Sequence, residues 1–175
     1  MAITKIQSES LNLADTYAFT GTVTGAGESN VPAFEATRSA NQDISDATYT
    51  KIQFNVETFD TASAYDNSTN YRYTPQTAGK YFVYARVQCD AQAASNLKQA
   101  IVRINKNGST YTQSQSNEAD NQAENINIPV HAVIDMNGSS DYLEVSVFID
   151  DESGGPTIRA TSYPWSLFGA FLLTT

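Results

Sequence analysis

One histidine, His131, and one cysteine, Cys89, are all that the 175-residue chain offers for nucleophile–base chemistry. A Ser-His-Asp or Cys-His site would need His131 as its base. In NIPVHAVIDM, strand alternation sets Val130, Ala132, Ile134 and Met136 on a core face and His131, Val133 and Asp135 opposite, so His131 belongs to the surface. Cys89 falls on the core-facing register of KYFVYARVQCD, where inert structural cysteines sit. A single cysteine also rules out an intrachain disulfide. No phosphate-cradling glycine loop, paired-cysteine motif or histidine pair with metal spacing occurs.

The run Asp150-Asp151-Glu152, ahead of Gly154-Gly155-Pro156, is the remaining chemical candidate. Three roles are open to it. Asp150 and Asp151 could hold calcium, with loop carbonyls completing an oxygen shell. Two carboxylates could do acid–base work on a glycoside, although no partner stands at a defined distance. The third role is a solvated loop. No cofactor other than calcium is indicated. Asn67, Asn107 and Asn137 match the glycosylation acceptor pattern, but with no secretory signal ahead of them they read as turns.

The net charge of −9, with ten basic residues spread along the chain, argues against nucleic acid and against an anionic membrane surface. It suits a soluble, self-repelling surface. MAITKIQSESLNLADTYAF lacks the apolar run of a signal peptide, and no stretch approaches a membrane span. Synthesis in a reducing cytoplasm is expected.

The elements that must position these groups are strands. In TYTKIQFNVE, Thr50, Ile52, Phe54 and Val56 share a face; in KYFVYARVQCD, Tyr81, Val83, Ala85, Val87 and Cys89 do; in DYLEVSVFID, Leu143, Val145, Val147 and Ile149 do. A slip of one residue would expose each set, which specifies the registers. Asn107-Gly108 and Asn137-Gly138 are hairpin signals. Ala91–Leu97 is the best helix-tolerant stretch and is short enough to be a loop. Many strands without intervening helices predict an all-β, two-sheet sandwich.

The last strand differs from the rest. In YPWSLFGAFLLTT one face carries Trp165, Leu167, Phe171 and Leu173, and the other carries Phe168, Ala170 and Leu172. A strand apolar on both faces needs cover on both. The opposite sheet supplies one cover, and an arm or another subunit must supply the second. Subunit contact is the preferred reading, with Trp165, Phe168 and Phe171 at the seam. Residues 1–32 read as an arm and linker, because LADTYAFTGTVTG has β character and GAGESNVP reads as a flexible connector. The arm either adds an edge strand to its own sandwich or docks on a neighbour. Its anchoring candidates are Tyr17, Phe19 and Val23. Residues 33–175 form the head.

Phe54, Asp60 and Tyr65 keep the spacing of a family signature, Tyr73 stands for the next aromatic one position late, and Thr74-Pro75 and Ala78-Gly79-Lys80-Tyr81 resume it. PAFEATRS, AIVRINKNG, DYLEVSVF and SLFGAFLL follow in the family's order across residues 32–173. The chain resembles the globular head of the complement component 1q family, which shares its jelly roll with tumour necrosis factor. Val83 and Ala85 replace expected aromatics, and there is no collagen-like stalk. The resemblance implies a jelly roll of about ten strands, assembled as a homotrimer. The opening ITKIQSESLNLADTYAFTGTVTG looks like those of bacteriophage fibre-like and other virion proteins, in style more than in motif.

These readings together give an expectation of role. The chain is expected to be a bacteriophage virion surface protein, either a capsid decoration or knob protein or a tail-fibre component. It would be made in the host bacterial cytoplasm. Its partners would be copies of itself, other capsid or tail proteins, and a host-surface glycan or protein, with no nucleic acid and no membrane insertion. The alternative is a bacterial lectin-like module that binds carbohydrate or protein. An enzyme is not expected.

Overall fold

Side-chain alternation at period two becomes hydrogen-bonded pairing along most of the chain. The computed structural model describes residues 31–160 and 164–175. The arm candidates Tyr17, Phe19 and Val23 lie outside the described residues. Among the described residues thirteen strand segments follow in order: β1 (Ala33–Thr37), β2 (Gln42–Asp43), β3 (Thr50–Lys51), β4 (Val56–Asp60), β5 (Tyr65–Asp66), β6 (Arg72–Tyr73), β7 (Ala78–Asp90), β8 (Leu97–Lys106), β9 (Ser109–Asn117), β10 (Asn125–Asn137), β11 (Leu143–Asp151), β12 (Thr157–Ile158) and β13 (Leu167–Thr174). The expectation was about ten; the surplus lies in five segments of two residues each.

The segments make two antiparallel sheets of seven and six strands. The first runs β10–β7–β13–β1–β4, with β12 pairing the far end of β7 and β2 pairing β12. The second runs β5–β6–β11–β8–β9, with β3 also pairing β11. Each sheet turns one face inward, as a two-sheet sandwich requires. Tyr81, Val83, Ala85, Val87 and Cys89 from β7 meet Leu143, Val145, Val147 and Ile149 from β11 in one core. These registers match the alternation in the sequence.

The spaced aromatics converge in that core. Phe34 stacks on Tyr73 at 4.2 Å and on Tyr65 at 4.9 Å, and Phe168 meets Phe34 edge-on at 5.0 Å. Tyr65 donates its hydroxyl hydrogen to the Phe54 carbonyl at 2.9 Å, and Asp60 accepts from the Tyr65 backbone N–H at 2.7 Å. A buried hydroxyl needs such a partner. Phe54, Asp60 and Tyr65 are thus linked by two hydrogen bonds that lock a corner between the sheets.

Three local expectations are corrected. TYTKIQFNVE is not one strand: it breaks after β3 in the second sheet and re-enters the first as β4. Ile52 and Phe54 stay buried, while Val56 turns outward and is exposed. Asn137-Gly138 does not close a hairpin, because β10 and β11 lie in different sheets. Instead Asn137 Oδ1 accepts from the backbone N–H groups of Ser139, Ser140 and Asp141, each at 3.0 Å, and so shapes a crossover. Asn107-Gly108 does close the β8–β9 hairpin, with φ of +53° and +77° as a two-residue primed turn requires. Residues 91–96 form the loop that carries the chain from β7 to β8.

Candidate functional site

Because strand pairing sets residues side by side, the outward face of the first sheet can be read as rows. One row runs Val133, Phe82, Phe171, Ala33. The next runs His131, Tyr84, Gly169, Glu35, Phe59. A third runs Pro129, Arg86, Leu167, Thr37, Val56. Across five strands this face is dominated by apolar and aromatic side chains. Val133 is 49% exposed, Phe59 44%, and Val56 and Leu173 39% each, all on this one side.

Phe82 forms the hub. Its ring lies 5.5 Å from Phe171, 5.9 Å from His131 and 6.1 Å from Tyr84. In the second row the missing side chain of Gly169 decides the geometry. A Cβ there would overlap the Cζ and hydroxyl of Tyr84 and come within 2.9 Å of the Phe34 carbonyl oxygen. The Tyr84 ring therefore lies flat across β13 and donates a hydrogen bond to Glu35 Oε2 at 3.0 Å. Burial first, and then the Glu35 hydrogen bond, push the Tyr84 phenol well above its ordinary pKa. The tyrosine stays neutral. At one end of the face Lys80 and Asp135 form an exposed ion pair at 2.6 Å.

The seam candidates divide over the two faces of β13. Phe171 lies on the outward platform, half-buried. Phe168 does not: it is 0% exposed among Phe34, Phe54 and Tyr65, because even-numbered residues of β13 face the opposite sheet. Its assignment to a seam is corrected to the core. Trp165 precedes β13, half-buried, with the Arg159 guanidinium 5.8 Å from its ring. Sequence reasoning missed Phe59, Phe82 and Val133 as members of this face. Pairing alternate positions of β4, β7 and β10 with the outer face of β13 would have found them.

The acidic candidates do not come together. Asp150 faces outward from the second sheet and pairs with Lys98 at 3.0 Å. Asp151 is buried beside Asp46 and accepts from the Gly155 backbone N–H at 3.0 Å. Burial, and then the neighbouring Asp46 carboxylate, hold the Asp151 pKa above its ordinary value. Among the described residues no group of three acidic, histidine or cysteine side chains is placed to hold a metal ion. Cys89 is enclosed in the core, where burial pushes its thiol up to about 12, whereas His131 stands on the outer face of the same sheet. The two cannot work as a pair.

No family model matches the sequence, and no curated protein matches it. Among solved structures, the globular domain of zebrafish complement 1qA protein superposes with a TM-score of 0.59 at 13% identity. The match covers 82% of this chain and 98% of that domain. The chain has a complement 1q-like jelly-roll fold. At such identity the likeness extends to the fold alone.

Proposed function

We propose that the chain is a non-catalytic structural module of a bacteriophage virion surface, a capsid decoration or tail-fibre component that assembles as a homotrimer. The observation that carries this reading is the apolar outward face of the first sheet. A face of this kind on a sandwich whose core is already filled marks a protein-contact surface. Phe82, Phe171, Val133 and Phe59 would be covered by the neighbouring subunits. A ring of three requires each subunit to offer two different patches, and a face five strands wide supplies them. Residues 1–32, with Tyr17, Phe19 and Val23, would tie the trimer to the particle, and the capsid or tail would be the partner. The protein would be made in the host cytoplasm and displayed on the finished virion.

The test is to purify virions from a host carrying the native gene and locate the chain by mass spectrometry and immunogold labelling. Removal of residues 1–32 should leave a folded trimer that no longer joins particles. Particles that lack the full-length chain would contradict the virion role and favour the free, lectin-like bacterial module. A truncated chain that still assembles would remove the anchoring role of the arm.

A further inference from the structure

The outward face of the second sheet has a different chemistry. Its central row runs Lys51, Ser146, Arg103, Gln113. The Arg103 guanidinium lies 3.5 Å above the ring centroid of Tyr49, which in turn packs against Phe148 at 5.0 Å. Arg103 Nε donates to Gln113 Oε1 at 2.9 Å, an arrangement that fixes the plane of the fork. Near the start of β11 the same device recurs, with the Arg72 guanidinium 4.6 Å above the Tyr142 ring. Tyr142 stands four residues from Ser146, roughly 14 Å at ~3.4 Å per residue.

Neither arginine has an acid partner among the described residues, in a chain of net charge −9. The carboxylates around them are taken. Glu144, one row along from Arg103, pairs with Lys51. Asp66, the cross-strand neighbour of Arg72, accepts from the Ser68, Thr69 and Asn70 backbone N–H groups. Every described lysine, by contrast, meets an acid. An aromatic-backed guanidinium with a free fork is the side-chain arrangement that takes carboxylate, sulfate or phosphate in two parallel hydrogen bonds.

We infer that this face is a binding surface for an anionic polysaccharide, with Arg103 and Arg72 each taking an acid group along the sugar chain. Three observations select that occupant. The described residues enclose no pocket, so a small molecule would be left mostly in water, whereas an extended chain can touch both arginines along one face. Tyr49 is 40% exposed, and the exposed amide side chains of Gln113 and Gln115 flank the stack, the mixed aromatic and polar surface that sugar rings and hydroxyls require. A nucleic acid, with a charge every ~3.4 Å along each strand, would set several phosphates between the two arginines, where the one cation among the described residues, Lys51, is already paired with Glu144. The inference rests on the proposed self-association in one respect: covering the first sheet leaves the second sheet facing outward.

The experiment uses the full chain in biolayer interferometry against immobilised polygalacturonate, dextran sulfate and a glycerol-phosphate teichoic polymer. Neutral dextran and a single-stranded oligonucleotide serve as comparisons, and the three acid arms separate carboxylate, sulfate and phosphate. At least one acidic polysaccharide should be retained, with binding that weakens as salt rises. Arg103→Gln should weaken it roughly tenfold or more, and adding Arg72→Gln should abolish it. Circular dichroism and sedimentation of the same samples confirm that the variants stay folded and keep their assembly state. Equal retention on neutral dextran, no retention on any acidic polymer, or unchanged binding by the double variant would overturn the inference. Stronger retention on the oligonucleotide would assign the face to nucleic acid instead. Arginine-dependent binding by a chain that sediments as a monomer would uphold this surface while removing the trimer.

Discussion

Tyr84 can lie across β13 only because residue 169 has no side chain. Gly169→Ala would lift the phenol off the strand, break its bond to Glu35 and press on the Phe34 carbonyl. Overpacking of that kind costs about 1–3 kcal/mol, so urea unfolding should show a lower midpoint with an unchanged slope. Asp151 provides a second residue-scale test, through pH. Its folded-state pKa is raised by burial and by Asp46, so the folded protein binds that proton more readily than the unfolded chain. The favourable contribution is complete below the unfolded pKa of about 3.9 and is lost as pH rises through the folded value. Asp151→Asn removes the titration but keeps an oxygen to accept from Gly155. The variant should therefore melt higher than the parent at pH 7, with the gap closing as pH falls toward 3. A gap that stays constant with pH would remove Asp151 as its source.

The strand β13 separates two jobs on alternate residues. Phe168→Ala would open a cavity among Phe34, Phe54 and Tyr65, and truncations of this kind cost about 3–5 kcal/mol, enough to unfold many domains. Phe171→Ser, three residues on and so on the outer face, should leave the protomer folded and weaken self-association. Comparable loss of fold in both variants would contradict the division of faces. The two residue sets of β13 were legible in the sequence, but which set meets the opposite sheet was not, since Phe168 was expected at the seam and lies in the core. The core sets of β7, β10 and β11 were legible because their apolar residues repeat at period two. The strand β9 gave no such signal. STYTQSQSN is polar on both faces, its outward residues are solvated, and only the Asn107-Gly108 turn ahead of it marks the hairpin. The break between β3 and β4 was hidden for the opposite reason. Apolar spacing continues through Ile52, Phe54 and Val56, although the chain changes sheets between Phe54 and Val56.

At the scale of the molecule, the two sheets offer unlike outer surfaces, and that contrast was only partly visible beforehand. The two-faced final strand pointed to an apolar exterior, but its extent depends on neighbours far apart in sequence. Phe59, Phe82, Val133 and Phe171 meet only when β4, β7, β10 and β13 are set in one sheet. Similarly, no local motif joins Tyr49 to Arg103 and Phe148; pairing of β11 with β8 and the adjoining loop does so. The acidic run failed as a site because adjacent strand residues point to opposite faces, so Asp150 and Asp151 could not converge. Sedimentation equilibrium of the full chain at neutral pH, beside Val133→Glu, tests the central claim most directly. The parent should sediment at three times the 19.0 kDa of one chain, and Val133→Glu should shift it toward the single-chain mass without lowering β content. A parent that remains one chain at every concentration tested would contradict the account.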